Sequence, residues 1–194
     1  MRADARERRH RIIVAACDLL RNRHEASLTL EEVAGAAGVG IATLYRNFAD
    51  RRELLHACAA HLFDQVIALQ DETLREFPGA PADTWGRYVR GLVGLGLGAV
   101  VPLLAPARLA DLPADLQSRR EAVEQRGHEI VTAAQDAGLV HPTVMPSTFI
   151  IGLITVSRPQ VSAVAELAPD LTEALVQLYL SGLRHGPGTP GDPE

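Results

Sequence analysis

The sequence contains no lysine, so its positive charge is carried by arginine, and the net charge is −5 at pH 7. That balance removes the global signature of a nucleic-acid binder and leaves only a local one to find. From Met1 to Leu55 ten arginines face eight acidic residues, whereas the remainder has nine arginines against sixteen. A mildly basic head on an acidic body suits local contact with DNA without indiscriminate binding.

Cysteine is almost as scarce. Cys17 and Cys58 are the only two, and each falls in a helical pattern beside apolar neighbours. Buried, reduced thiols are expected there. No apolar core region follows the charged start of the chain, so no secretory leader is expected and a reducing cytoplasm is the expected compartment. The longest apolar-rich stretch, Gly91 to Ala105, is short, glycine-rich and interrupted by Pro102, which argues against a membrane span. Nucleophile elbow, phosphate loop, dinucleotide fingerprint and paired zinc motif are all missing, so neither catalysis nor a cofactor is expected. Cys58 and His61 share a helix face, but His56 faces elsewhere and completes no ligand set. Metal or redox sensing is the alternative reading of these residues.

Period-two alternation and internal repeats are also absent, whereas 47% hydrophobic residues in 194 suffice for a substantial core. The expected fold is all-α, with about nine helices. Arg6 to Arg23 reads as a first helix with Ile12, Ala16, Leu19 and Leu20 as its apolar stripe. Its Arg6, Arg8, Arg9 and Arg11 read as a solvated face, with DNA-backbone contact as the alternative. Asp50 is the expected N-cap of a long helix running to about Glu76, stopped by Phe77, Pro78 and Gly79. A fifth helix is expected from Pro81 to about Ala99. Gly91, Gly94, Gly96 and Gly98 make it pliable or closely approached by a neighbour. A short connecting element follows from Leu103 to Leu112, and helices follow from Pro113 to Ala137, Pro146 to Ser157 and Pro169 to Arg184. The prolines opening the last two of these are expected at the first helical position. Residues 187–194 have nothing to bury and read as a disordered tail.

The most informative segment is Leu28 to Leu55, LTLEEVAGAAGVGIATLYRNFADRRELL. Leu30, Val33, Ala34 and Ala37 line one helix face, Thr29 and Glu32 fit a capping box, and Gly38 ends the helix. A second short helix turns Leu44 and Phe48 inward and leaves Thr43, Tyr45, Arg46 and Asn47 largely free. That is a helix-turn-helix, whose second helix can enter a DNA major groove.

The order helix, helix-turn-helix, long linking helix and helical body resembles the TetR family of bacterial transcriptional regulators. Ala37 to Leu55, AGVGIATLYRNFADRRELL, is similar to that family's Ala-Gly-Val, Thr-Leu-Tyr and Phe pattern ahead of a charged helix start. The resemblance implies a helix-turn-helix domain at residues 1–49, a ligand-binding and dimerisation domain at 50–186, and the tail beyond. It implies DNA contacts from Thr29, Tyr45 and Arg51 to phosphates, and from Gly40, Ile41, Ala42, Thr43, Arg46 and Asn47 at the recognition helix. Gly40 to Ala42 carry no polar side chain where many members have one. Arg46, Asn47 and DNA shape therefore have more of the discrimination to supply.

For the body the resemblance implies a homodimer through the last two helices, with Phe149, Leu153, Val156, Leu171, Leu175, Leu178 and Tyr179 at the interface. It also implies a pocket for an unidentified small-molecule inducer lined by Trp85, Tyr88, Val89, Leu92, Leu104 and Ile130, with Arg87, Arg90, Gln125 and His128 as polar anchors. The function so implied is repression: a dimer on a palindromic double-stranded operator, released by the inducer.

Overall fold

The computed structural model describes residues 2–21, 28–160 and 162–186; the end of the expected first helix at Arg23 and the expected tail at 187–194 lie outside them. The described residues form ten α-helices and no strand. Three α-helices make the head: the long α1 (Arg2–Arg21) and the short α2 (Leu30–Ala36) and α3 (Ile41–Asn47). The long α4 (Arg51–Glu76) leads into α5 (Pro81–Gly94), α6 (Leu97–Leu104), a 3-10 turn at Leu109–Asp111, α7 (Ala114–Asp136), α8 (Pro146–Val156), α9 (Ser162–Leu167) and α10 (Leu171–His185).

The ten helices of the described residues agree with the expected count of about nine, and the differences in boundary are local. The fifth helix stops at Gly94 instead of running to Ala99, because Gly96 adopts a left-handed φ of 72° and α6 starts beyond it. α6 takes up the start of the expected connecting element, which is reduced to the 3-10 turn. α9 fills what reads as a gap before Pro169. Pro81 and Pro146 open their helices as expected, but Pro113 is an N-cap, and Asp170 precedes the first residue of α10.

Ile12, Ala16 and Leu20 of α1 close over Val33, Ala34, Leu44 and Phe48, and this core continues without a break along α4 into the body. α4 packs along α7 more extensively than along any other helix. Their exposed edge carries His56–Asp115 at 2.9 Å, Asp64–Arg119 at 2.9 Å and Asp71–Arg126 at 2.6 Å, in the same order along both, so the two helices run parallel. Such exposed pairs set register more than stability, at about 0–1 kcal/mol each. At Gly98 an added Cβ would stand 2.4 Å from the Ser157 carbonyl oxygen, so α6 meets the end of α8 backbone against backbone. No single described helix is long and apolar enough to cross a membrane. The α5–α6 pair is, but it bends by 50°, and Trp85, Tyr88, Val89, Leu92, Leu97 and Val100 are packed in the interior.

Candidate nucleic-acid interface

α2 is capped from both directions. Thr29 Oγ1 accepts from the Glu32 amide at 3.3 Å, and the Glu32 carboxylate accepts from the Thr29 amide at 3.0 Å and from its hydroxyl at 2.7 Å. The capping box expected from Thr29 and Glu32 is present. It also commits the Thr29 hydroxyl proton to Glu32. Gly38, at a φ of 63°, turns the chain out of α2, which only glycine does without a steric penalty.

α3 has one buried edge, on which Leu44 and Phe48 are fully buried. Its opposite side carries Ile41 at 38% exposure and Tyr45 at 51%, with Ala42 and Arg46 also exposed. The Tyr45 hydroxyl meets no partner among the described residues. Arg46 folds along its own helix, where Nε donates to the Ala42 carbonyl at 3.1 Å and Nη2 to Thr43 Oγ1 at 3.1 Å. Asn47 is less available than the sequence suggests. It is half-buried, and its Nδ2 donates to the Thr43 carbonyl at 2.7 Å. Thr43 is likewise half-buried, and Gly40 is the N-cap of α3 with no side chain to cap it.

Arg51 begins α4, capped by Asp50, whose carboxylate accepts from the Glu53 amide at 2.8 Å. Arg51 is exposed, yet its Nε donates to the Leu28 carbonyl at 3.2 Å and so ties the start of α4 to the residue before the α2 cap. Arg9 is the head residue whose role the sequence does not reveal. Its guanidinium lies 4.0 Å over the Phe48 ring and donates to the Asn47 carbonyl at 2.5 Å. It packs α1 against the end of α3 and is not one of a uniformly solvated row.

Cys17 and Cys58 are both buried and free. The neighbouring Cys17, together with burial, pushes the Cys58 thiol up, and Cys58 in turn lowers Cys17. His56 engages Asp115, holding that carboxyl below its usual range, while His61 meets His10 edge-on at 5.5 Å. His56, Cys58 and His61 therefore face three different partners.

In the body, the expected pocket residues Tyr88, Val89, Leu92 and Ile130 are fully buried, Trp85 nearly so and Leu104 half-buried. The Trp85 ring packs at a tilt against Phe149 at 4.9 Å and Tyr88 at 6.0 Å, and burial raises the Tyr88 hydroxyl to about 12. Arg87, Arg90, Gln125 and His128 are all exposed and turned away from this cluster. The buried polar group beside it is Gln70 of α4, which donates to the Tyr88 hydroxyl at 3.3 Å. Leu62, Val66, Gln70 and Thr73 form one inner stripe of α4, so a polar residue on an apolar period was its signal in the sequence.

Of the expected interface residues, Phe149 and Leu153 are buried inside the protomer, because α8 packs against α6 and α7 and the Phe149 ring meets Trp85 and Tyr88 of α5. Val156, Leu171, Leu175 and Tyr179 are half-buried, and the Tyr179 hydroxyl lies 2.9 Å from the Thr148 and Phe149 carbonyls. Leu178 is 70% exposed, and Met145 and Ile151, outside the expected interface set, are each 62% exposed.

This layout recurs in known proteins. Residues 12–58 match the family described as bacterial regulatory proteins, tetR family, and residues 80–185 match the C-terminal domain of SbtR-like transcriptional regulators. The HTH-type transcriptional repressor LfrR of Mycolicibacterium smegmatis is 39% identical over 111 residues, covering 55% of this chain and 56% of that relative. The chain thus aligns with little more than half the length of that relative. The solved structure of LfrR from Mycobacterium smegmatis in complex with proflavine superposes with a TM-score of 0.68 at 22% identity, covering 95% of this chain and 99% of that one. A TetR regulatory protein from Mycobacterium vanbaalenii gives a TM-score of 0.60 at 25% identity over 94% and 98%. With its helix-turn-helix matched at one end and more than half its length matched at the other, the chain belongs to the TetR family of bacterial transcriptional regulators.

Proposed function

We propose that the chain is a ligand-responsive repressor that binds a palindromic operator as a homodimer and is released by a small molecule bound in its body. The observation that carries this reading is the exposed side of α3, with Tyr45 and Arg46 outward and Leu44 and Phe48 anchoring it to the head. Residues 1–49 act as the DNA-reading head and residues 50–186 as the ligand-binding and dimerisation body, and both act in the cytoplasm. Thr29, Gly40, Ile41, Ala42, Thr43, Tyr45, Arg46, Asn47 and Arg51 meet the DNA. Two heads are needed because half-sites recur about one helical turn or more apart. Ile151 and Leu178 supply apolar surface for the second copy.

The unbroken α4 from Arg51 to Glu76 joins the two functions. A ligand that binds the DNA-incompetent arrangement more tightly shifts the population towards it, and DNA weakens ligand binding by the same factor. That LfrR is solved with proflavine supports a small-molecule site in a body of this fold.

Operator mapping with the purified protein tests the reading. The expected result is a protected palindrome near the protein's own gene, bound at nanomolar to micromolar concentration and released in a ligand screen. A protein that protects no DNA, or ligands that bind and leave operator affinity unchanged, would sink it.

A further inference from the structure

Gln70 lies on the inner side of α4 and is 2% exposed. Its Nε2 donates to the Val123 carbonyl of α7 at 3.1 Å and to the Tyr88 hydroxyl of α5 at 3.3 Å. The Val123 carbonyl can only accept, which fixes the amide orientation and leaves Oε1 as the other atom. Oε1 is buried and has no hydrogen-bond partner. The Tyr88 hydroxyl accepts from Gln70 and so keeps its own proton for another acceptor, which no described residue supplies. An acceptor without a donor, beside a donor without an acceptor, is a costly pair to bury unless a guest completes it.

The surroundings restrict that guest. Trp85, Tyr88 and Phe149 present aromatic rings with centroids 4.9 to 6.2 Å apart. On the α7 side the neighbour of the amide is Gly127, where even an added Cβ would come only 3.4 Å from Nε2. Gln70, Thr73 and Thr84 are the buried polar side chains among the described residues, and none is charged. A cation taken into such an interior would lose its hydration without gaining a carboxylate. At the C-terminal end of α5, Gly94 has no neighbour within 4 Å of an added Cβ, and Gly96 breaks the helix just beyond it.

We infer that Gln70 and Tyr88 are the polar recognition pair of the effector site, and that the effector is an uncharged, flat aromatic molecule whose edge carries an N–H beside a carbonyl. The N–H donates to Gln70 Oε1, the carbonyl accepts from the Tyr88 hydroxyl, and the ring plane packs against Trp85 and Phe149. Gln70 keeps its bond to Val123 throughout, so occupancy is felt on α4 and α7 together. This inference rests on the proposed ligand response.

The test uses the full chain and three neutral probes: 2-quinolinone, 4-methyl-2-quinolinone and 1-methyl-2-quinolinone. The first two keep the N–H; the third replaces it with a methyl. Affinity is read by calorimetry, and place by the indole N–H resonance of Trp85, the only tryptophan in the chain. The N–H probes are expected to shift that resonance and to bind at least about tenfold more tightly than the N-methyl probe, the scale of one hydrogen bond to a buried group. Gln70→Leu should shrink that difference to within about twofold, and Tyr88→Phe should weaken the lactams severalfold while keeping the ring in place. The comparison of probes in the unmodified protein stands even if Gln70→Leu fails to fold. Equal affinity for the N–H and N-methyl probes, binding that leaves the Trp85 resonance unmoved, no binding of any probe at millimolar concentration, or tighter binding of cationic proflavine at Trp85 would each overturn the inference. None of these readouts involves DNA. Lactam binding without operator release would therefore count against the proposed release mechanism and leave this assignment standing.

Discussion

The guanidinium of Arg9 covers the Phe48 ring at 4.0 Å while donating to the Asn47 carbonyl at 2.5 Å. One side chain of α1 thereby closes the C-terminal end of α3, where helical carbonyls lack partners of their own. Arg9→Ala should lower the stability of the protein by about 1–2 kcal/mol, combining a cation–π contact with a hydrogen bond to a helix terminus. Arg9→Lys should recover less than half of that, because an ammonium cannot stack flat and donate sideways at once. Urea unfolding of the three proteins measures both effects.

What the sequence conveys well is what a single helix decides for itself. The capping box at Thr29 and Glu32, the cap at Asp50, the turn at Gly38 and the inward Leu44 and Phe48 depend on spacing within a few residues, and all are present. What it conveys poorly depends on distant partners. The role of Arg9 requires Phe48, 39 positions further along the chain, and the buried position of Gln70 requires Tyr88 and Val123. Phe149 and Leu153 look like interface residues because α8 is largely apolar, and only its packing on α6 and α7, with Phe149 against Trp85 and Tyr88, shows which side is inside. The four glycines of Gly91 to Gly98 likewise have unlike roles that composition cannot separate.

Tyr45 and Arg51 should differ in how their loss reaches DNA. Tyr45→Phe removes a solvent-facing hydroxyl and should weaken binding across all sequences by about 1 kcal/mol without changing stability. Arg51→Ala should reduce the salt slope of binding by about one, the mark of one phosphate contact. It should also loosen the α2 cap by removing the bond to the Leu28 carbonyl. Operator titrations at several salt concentrations, alongside melting curves, separate the two effects.

Gly98→Ala and Gly94→Ala form a paired test of the close approach between α6 and α8. At Gly98 the new methyl would meet Ser157 backbone at 2.4 Å, and backbone cannot step aside as a side chain does. A loss of about 1–3 kcal/mol is expected, with α6 displaced. At Gly94 nothing lies within 4 Å of the added atom, so alanine should be neutral or stabilise by up to about 1 kcal/mol through helix propensity. Thermal unfolding of the two variants should move in opposite directions, or Gly94→Ala should stay level.

Leu178 tests the proposed dimer, because it is 70% exposed and makes little contribution to the protomer's own core. Leu178→Arg should leave the unfolding of the protomer nearly unchanged while shifting the mass measured by light scattering from two chains to one. Leu153→Arg should unfold the protein instead, because that side chain is fully buried and would place an unpaired charge inside.

His61 sets a pH dependence whose sign follows from its surroundings. Burial is the main cause that lowers its pKa, and His10 at 5.5 Å adds to it. Arg21 acts in the same direction, and Asp64 and Asp18 oppose it. As pH falls through the ordinary imidazole value of about 6.5, the unfolded chain takes up a proton that the folded chain still refuses. The unfolded state then binds more protons, so stability falls with falling pH until the folded group is protonated as well. The carboxyl of Asp115, held below its usual range by His56, releases its share only under more acidic conditions, so the two contributions separate. The melting temperature should therefore drop between about pH 7 and about pH 5, and His61→Phe, which cannot be protonated, should flatten that drop. An unchanged drop in the variant would assign the dependence to another histidine.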